Sequence, residues 1–151
     1  MQRFFNLFED RKLALDVFTV VDDSRLDARV KSEYSGLSKD YVAVQLDSLA
    51  SRPEIKDKPA QEALVEFLVR LSLHQFKDLP VPSKYIDQAK EISEISRRLL
   101  NVESSVEDTA EATLRIYAVI SSIPNEEVEE DDWENMDTDE EDSLENYEDS
   151  D

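Results

Sequence analysis

VVDDSRLDARVKSEYSGL, residues 20–37, is the stretch that decides how this chain is read. Asp22, Asp23 and Asp27 alternate with Arg25 and Arg29 behind an apolar edge, and the run ends at Gly36-Leu37, with the only glycine of the protein. Such a cluster has three readings: catalytic carboxylates, a metal site, or the polar interior of a helical scaffold. Residues 23 and 27 lie one turn apart on the same side of a helix, while 22 points elsewhere. Two carboxylates hold a hard cation only with help from water or further oxygen ligands. Arg25 and Arg29 compete for the same oxygens, and Asp22 reaches Arg25 at i+3. The residues therefore favour a salt-bridge network. On an exposed face it contributes only about 0.3–0.5 kcal/mol per pair. Between buried helices, loss of one partner costs roughly 3–5 kcal/mol.

Working outward, the apolar residues Val17, Phe18, Val21, Ala28 and Val30 form an incomplete stripe on a helix of about 10–34. Gly36 is placed as a left-handed residue just past its end, with Leu37 folding back on the last turn. Ser38 is placed to cap a second helix over 39–50, with Tyr41, Val42, Leu46 and Leu49 on one side. Arg52-Pro53 closes it. Pro59 opens the third and most apolar helix, in which Ala63, Leu64, Phe67, Leu68, Leu71 and Gln75 recur at helical spacing. LPVP, residues 79–82, marks its end. Two further series step 4, 3, 4, 3: Tyr85, Ala89, Ile92, Ser96 and Leu99 after Ser83, then Val106, Ala110, Thr113, Tyr117 and Ile120 after Ser104 or Ser105. Across the short Asn101–Ser105 loop they predict an antiparallel αα-hairpin packed on the third helix.

Composition agrees with an all-α class. One glycine in 151 residues is too few for tight hairpins. Without cysteine there are no disulfides, zinc–thiolate sites or thiol nucleophiles. No apolar run approaches a membrane span, and the acids in MQRFFNLFEDRK break up any signal peptide, so a cytoplasmic protein is expected. The net charge of −20 is unevenly shared: residues 125–151 hold 16 of the 37 acids and none of the 17 bases, leaving the rest at −4. Two regions follow, a helical domain over 1–124 and an acidic tail or linker over 125–151. The tail is expected to be disordered, because its like charges repel and it has little apolar surface to bury. Trp133, Met136, Leu144 and Tyr147, with Val128, are spaced through the acid as short anchors for a basic partner surface. Nucleic acid is an unsuitable partner for so acidic a chain.

Catalysis finds little to work with. His74 is the single histidine and has no acid close in sequence; there is no nucleophile elbow and no glycine-rich phosphate loop. Neither a cofactor nor a metal is expected.

The run from Phe18 to Asp40 also resembles a family pattern, F-x-x-[IV]-E-D-x-R-[IVL]-D-x-x-[IVL]-x-x-x-Y-x-G-L-x-x-D. It is found in nitric oxide reductase activation proteins of the NorD type and in the related CbbO-type Rubisco activase adaptors. Phe18, Asp23, Arg25, Asp27, Tyr34, Gly36 and Leu37 carry the resemblance, and Asp22 stands where the family often has Glu. It covers roughly residues 8–79 and the acidic character of 125–151. In that family a helical region and an acidic linker precede a von Willebrand factor A domain, and the protein works beside a MoxR-type AAA+ ATPase. The DxSxS motif of the A domain is missing here, since Asp47-Ser48-Leu49-Ala50-Ser51 does not fit it. The resemblance implies a non-enzymatic helical adaptor that acts with such an ATPase in activating or assembling a client enzyme. The alternative is a stand-alone acidic protein whose tail masks a basic partner surface.

Overall fold

The computed structural model describes residues 2–33, 36, 38–73, 75–99 and 104–138. Six helices and two short strands are found among them: α1 (Gln2–Phe5), α2 (Arg11–Glu33), α3 (Ser38–Ala50), α4 (Ala60–Ser72), β1 (Leu79–Pro82), α5 (Ile86–Arg98), α6 (Val106–Ser121) and β2 (Trp133–Met136). The chain is mostly helical, as its composition requires. The expectation of an all-α fold is corrected by the two-stranded antiparallel sheet.

Helix α4 is the centre of the molecule and packs against α2, α5, α6 and β1. Its apolar positions Ala63, Leu64, Phe67, Leu68 and Leu71 are all buried, as their spacing predicts. Val17 and Val21 of α2, Ile92 of α5, and Ile116 and Ile120 of α6 close around them. Pro59 takes the N-cap position, immediately before the first helical residue.

The hairpin of α5 and α6 follows the expected seam on one side only. Tyr85, Ala89, Ile92, Ser96 and Leu99 are buried. On α6 the buried series is Thr109, Ala112, Thr113, Ile116 and Ile120, whereas Val106 is exposed and Ala110 and Tyr117 are partly so. The seam turns because α6 packs most extensively on α2, so its buried stripe must serve two neighbours. Ser105 starts α6 with a capping box: Asp108 N–H donates to its Oγ at 3.4 Å, and Ser105 N–H donates to Asp108 Oδ2 at 2.7 Å.

Three further expectations are corrected. Gly36 has no positive φ, so it is not a left-handed cap. On α3 the residue buried against α2 is Gln45, while Leu46 is exposed and Val42 and Leu49 are half-buried. A short helix, α1, precedes the first expected one. Its Phe4 and Phe5 form an edge-to-face cluster with Phe8 and Phe18, and Phe8 packs on Tyr117 with ring centroids 4.6 Å apart.

The largest correction concerns residues 125–138. Expected to be disordered, they instead form a strap across the body. Ala60 N–H donates to Glu126 O at 2.8 Å, and Gln61 N–H to Asn125 Oδ1 at 3.0 Å. Tyr85 Oη donates to Glu126 Oε1 at 2.9 Å. Further on, β2 pairs with β1 in the register Leu79↔Met136 to Pro82↔Trp133. Val128 and Trp133 pack against the core and Met136 enters it, while most of the acids between them face outward. Apolar residues scattered through acid are thus anchors for this chain's own body. Residues 139–151, including Leu144 and Tyr147, lie outside the described residues.

Ser83 N–H donates to Asp132 O at 2.8 Å, which sets the phase of the ladder: odd-numbered residues of β1 direct their backbone groups at β2. Pro80 and Pro82 therefore turn their ring nitrogens to the outer edge, where the missing N–H groups discourage a third strand. Met136→Ala is expected to cost about 2 kcal/mol, the low end for a buried methionine because the strap lies at the rim. Chemical denaturation of the variant and the wild type measures it, and an unchanged midpoint would place Met136 outside the core.

Candidate functional site

The charged run of α2 is split by its helix between a buried and an exposed side. Arg25 is buried at the junction of α2, α6 and the segment before α6. Its Nε and Nη2 donate to Asp22 Oδ1 at 3.1 and 3.0 Å, and Nε also donates to Thr109 Oγ1 at 3.0 Å. Thr109 Oγ1 donates in turn to Asp22 Oδ1 at 3.1 Å. Arg25 Nη1 reaches the Ser104 carbonyl at 3.4 Å, and Ser104 Oγ donates to Leu99 O at 3.1 Å. One guanidinium thus ties the start of α6 and the end of α5 to the middle of α2.

Asp27 accepts from Gln45 Nε2 at 3.1 Å, which joins α2 to α3. Asp23 and Arg29 are exposed. The Asp23 carboxyl is pushed above its ordinary range, first by desolvation and second by the charge of Asp22. The structure thus places Asp22 with Arg25, takes Asp27 to another partner, and leaves Asp23 on the opposite side. Tyr34, Leu37 and His74 lie outside the described residues. Among the described residues no group of three or more His, Asp or Glu is arranged to hold a metal ion.

A second polar cluster escapes the sequence reading. Glu66, on the inward side of α4, is only 3% exposed. Its two carboxylate oxygens accept from Arg52, with Nε to Oε2 at 2.9 Å, and Oε2 also accepts from Arg70 Nε at 3.3 Å. Arg70 Nη2 donates to Pro53 O at 2.8 Å. Burial alone pushes the Glu66 carboxyl up, but the two guanidiniums outweigh it and hold the group below its ordinary range. The Glu66 hydrogen bond also raises the Arg52 pKa, against the opposing effect of burial. The only sequence signal was the i, i+4 spacing of Glu66 and Arg70, a pattern shared with ordinary surface pairs.

Arg52 and Glu66 border a cleft of about 310 Å³ between α2 and α4, which is also lined by Lys12, Asp16, Lys58 and Glu62. Its charges are mixed in sign. A carboxylate saturated by two arginines and held below its ordinary range is a weak general base.

Neither a protein-family profile, nor a curated sequence, nor a solved structure shows significant similarity to this chain. What remains informative is the contrast between the two kinds of surface. Charged groups at Arg25 and Glu66 are spent on joining helices, whereas Leu7, Leu15, Leu26, Val44 and Leu46 in the first half of the chain, and Val106 and Leu114 of α6, are exposed. No helix among the described residues is long and apolar enough to cross a membrane.

Proposed function

We propose that the chain is a non-enzymatic helical adaptor that docks through the α1–α3 side on a MoxR-type AAA+ ATPase, in the activation or assembly of a client enzyme. Exposed apolar side chains on α2 and α3 carry this reading. Leu26, Val44 and Leu46 stand on helices whose polar residues Asp27 and Gln45 bond to each other. The NorD-type resemblance supplies the kind of partner. Energy for remodelling comes from ATP bound to the partner, and the contribution of this chain is a rigid shape.

The strap favours a second reading, in which an acidic face binds a basic protein surface. Glu127, Glu129, Glu130, Asp131, Asp132 and Glu134 are all exposed along it. Reversing charge on that face, with Glu129→Lys and Glu130→Lys, separates the two, because both residues are exposed whereas a cut at 124 also removes Met136 from the core. Sedimentation of the purified chain with a MoxR-type ATPase and ATP is expected to show a complex. Val44→Asp with Leu46→Asp is expected to weaken it at least tenfold, while Glu129→Lys with Glu130→Lys leaves it unchanged. Binding that ignores the apolar substitutions and disappears at moderate salt would favour the acidic surface; absence of any complex would overturn the adaptor reading.

A further inference from the structure

Thr138 ends the strap and is an anomaly within it. It is only 9% exposed, and among the described residues its Oγ1 is the one buried side-chain polar atom with no hydrogen-bond partner. Its backbone is well held, since Thr138 N–H donates to Phe76 O at 2.8 Å. A hydroxyl taken from water without a partner carries its desolvation cost uncompensated. Valine would fill the same space without that cost, so the packing gives no reason for a hydroxyl here.

The sequence around it does. Thr138 is followed directly by Asp139-Glu140-Glu141-Asp142 and preceded by Asp137. A hydroxyl with a block of carboxylates on its C-terminal side is charge-complementary to a kinase whose substrate groove is basic. Ser143 is followed by a leucine, a single Glu and an Asn, and Ser150 by one Asp, so neither matches as well.

We propose that Thr138 is a phosphoacceptor for an acidophilic Ser/Thr kinase, and that its modification holds the distal strap away from β1. Thr138 Oγ1 attacks the γ-phosphorus of ATP. The new P–O bond forms as the bond to the β–γ bridging oxygen breaks, ADP leaves, and the hydroxyl proton passes to a carboxylate of the kinase.

Local release must precede this step, because the closed strap hides the hydroxyl. Afterwards a group of charge about −1.5 to −2 has no place in the niche that held a neutral side chain. Asp137 lies next to it, with its Oδ1 accepting from Asp78 N–H at 3.0 Å. Asp78 is the described non-glycine residue with positive φ, 54°, so the strap also braces an uncommon turn. The exposed Lys77 offers one base, against eight acids and no base within residues 125–138. Release stops at the proximal strap, where Asn125 and Glu126 are bonded to Gln61, Ala60 and Tyr85.

The full chain is incubated with an acidophilic casein kinase and ATP, the labelled residues are mapped by mass spectrometry, and amide exchange is followed in residues 79–82 and 133–138. Thr138 is expected to be labelled faster than Ser143 or Ser150, and exchange in both segments to rise at least tenfold afterwards. Thr138→Val should abolish that label and keep exchange slow, while Thr138→Ser should restore labelling. Phosphate confined to Ser143 and Ser150 overturns the assignment. Phosphate on Thr138 with unchanged exchange in β1 overturns the release.

Discussion

Glu66→Ala is expected to be the most damaging single substitution of a charged residue in this protein, with a loss of about 4 kcal/mol. The carboxylate is buried on α4 and both of its oxygens are bonded, so its removal leaves two guanidiniums facing each other at the edge of the core. Arg52 sits before α4, and Arg70 one turn beyond Glu66 donates to the carbonyl of Pro53. The three residues therefore fix the α3–α4 connection to the central helix, and Glu66 is the shared partner. Glu66→Gln keeps the shape but offers one acceptor oxygen and no charge, so about 2 kcal/mol is expected there. The pH dependence follows from the depressed pKa. The ionised form is favoured by folding, so its contribution is complete above the ordinary value of 4.5 and is lost as pH falls through the lower folded value. The stability gap between wild type and Glu66→Gln should stay constant above pH 4.5 and shrink below it. Urea denaturation across that range measures the gap. A gap that widens on acidification would mean that the carboxyl is protonated in the folded state.

The contrast between what the sequence revealed and what it concealed has a physical pattern. Helices α4 and α5 were legible because the positions that recur at helical spacing are the ones they bury, so spacing alone places Phe67 or Ile92 inside. Helix α6 was partly legible: its stripe is turned toward α2, and no local pattern records how two partners divide a helix surface. The same limit hid Thr109, which meets Arg25 from 84 positions away, although the Asp22–Arg25 pair was visible at i+3. On α3 the apolar residues misled, since a hydrogen bond between Gln45 and Asp27 settled which side faces α2. The strap was misread for a different reason. Net charge averages over a segment, whereas packing needs only a few well-placed side chains, and Val128, Trp133 and Met136 suffice when every acid between them can point to water. Glu66 was hidden because its spacing to Arg70 is that of any exposed pair, and burial is a property of the fold.

Arg25→Ala is expected to cost about 3 kcal/mol, because three groups lose a partner together. Among the described residues Asp22 keeps only Thr109 as a donor, Thr109 is fully buried, and the Ser104 carbonyl loses its contact with Arg25 before α6. The loss is not simply one of charge: the arginine stem fills space between α2 and α6 that alanine leaves open. Arg25→Met separates these contributions, since it keeps the volume and removes the donors; about 2 kcal/mol is expected. Pairing Arg25→Met with Asp22→Ala should recover more than half of that loss, because the carboxylate no longer lacks its cation. A double-mutant cycle by chemical denaturation tests the coupling. If Arg25→Ala costs less than about 1 kcal/mol, the pair behaves as an exposed one and the joint between α2 and α6 is held by apolar packing alone. A large coupling between Arg25 and Thr109, with none between Arg25 and Arg29, would instead mark the charged run of α2 as a two-sided device. Its buried side would then set the angle of α6.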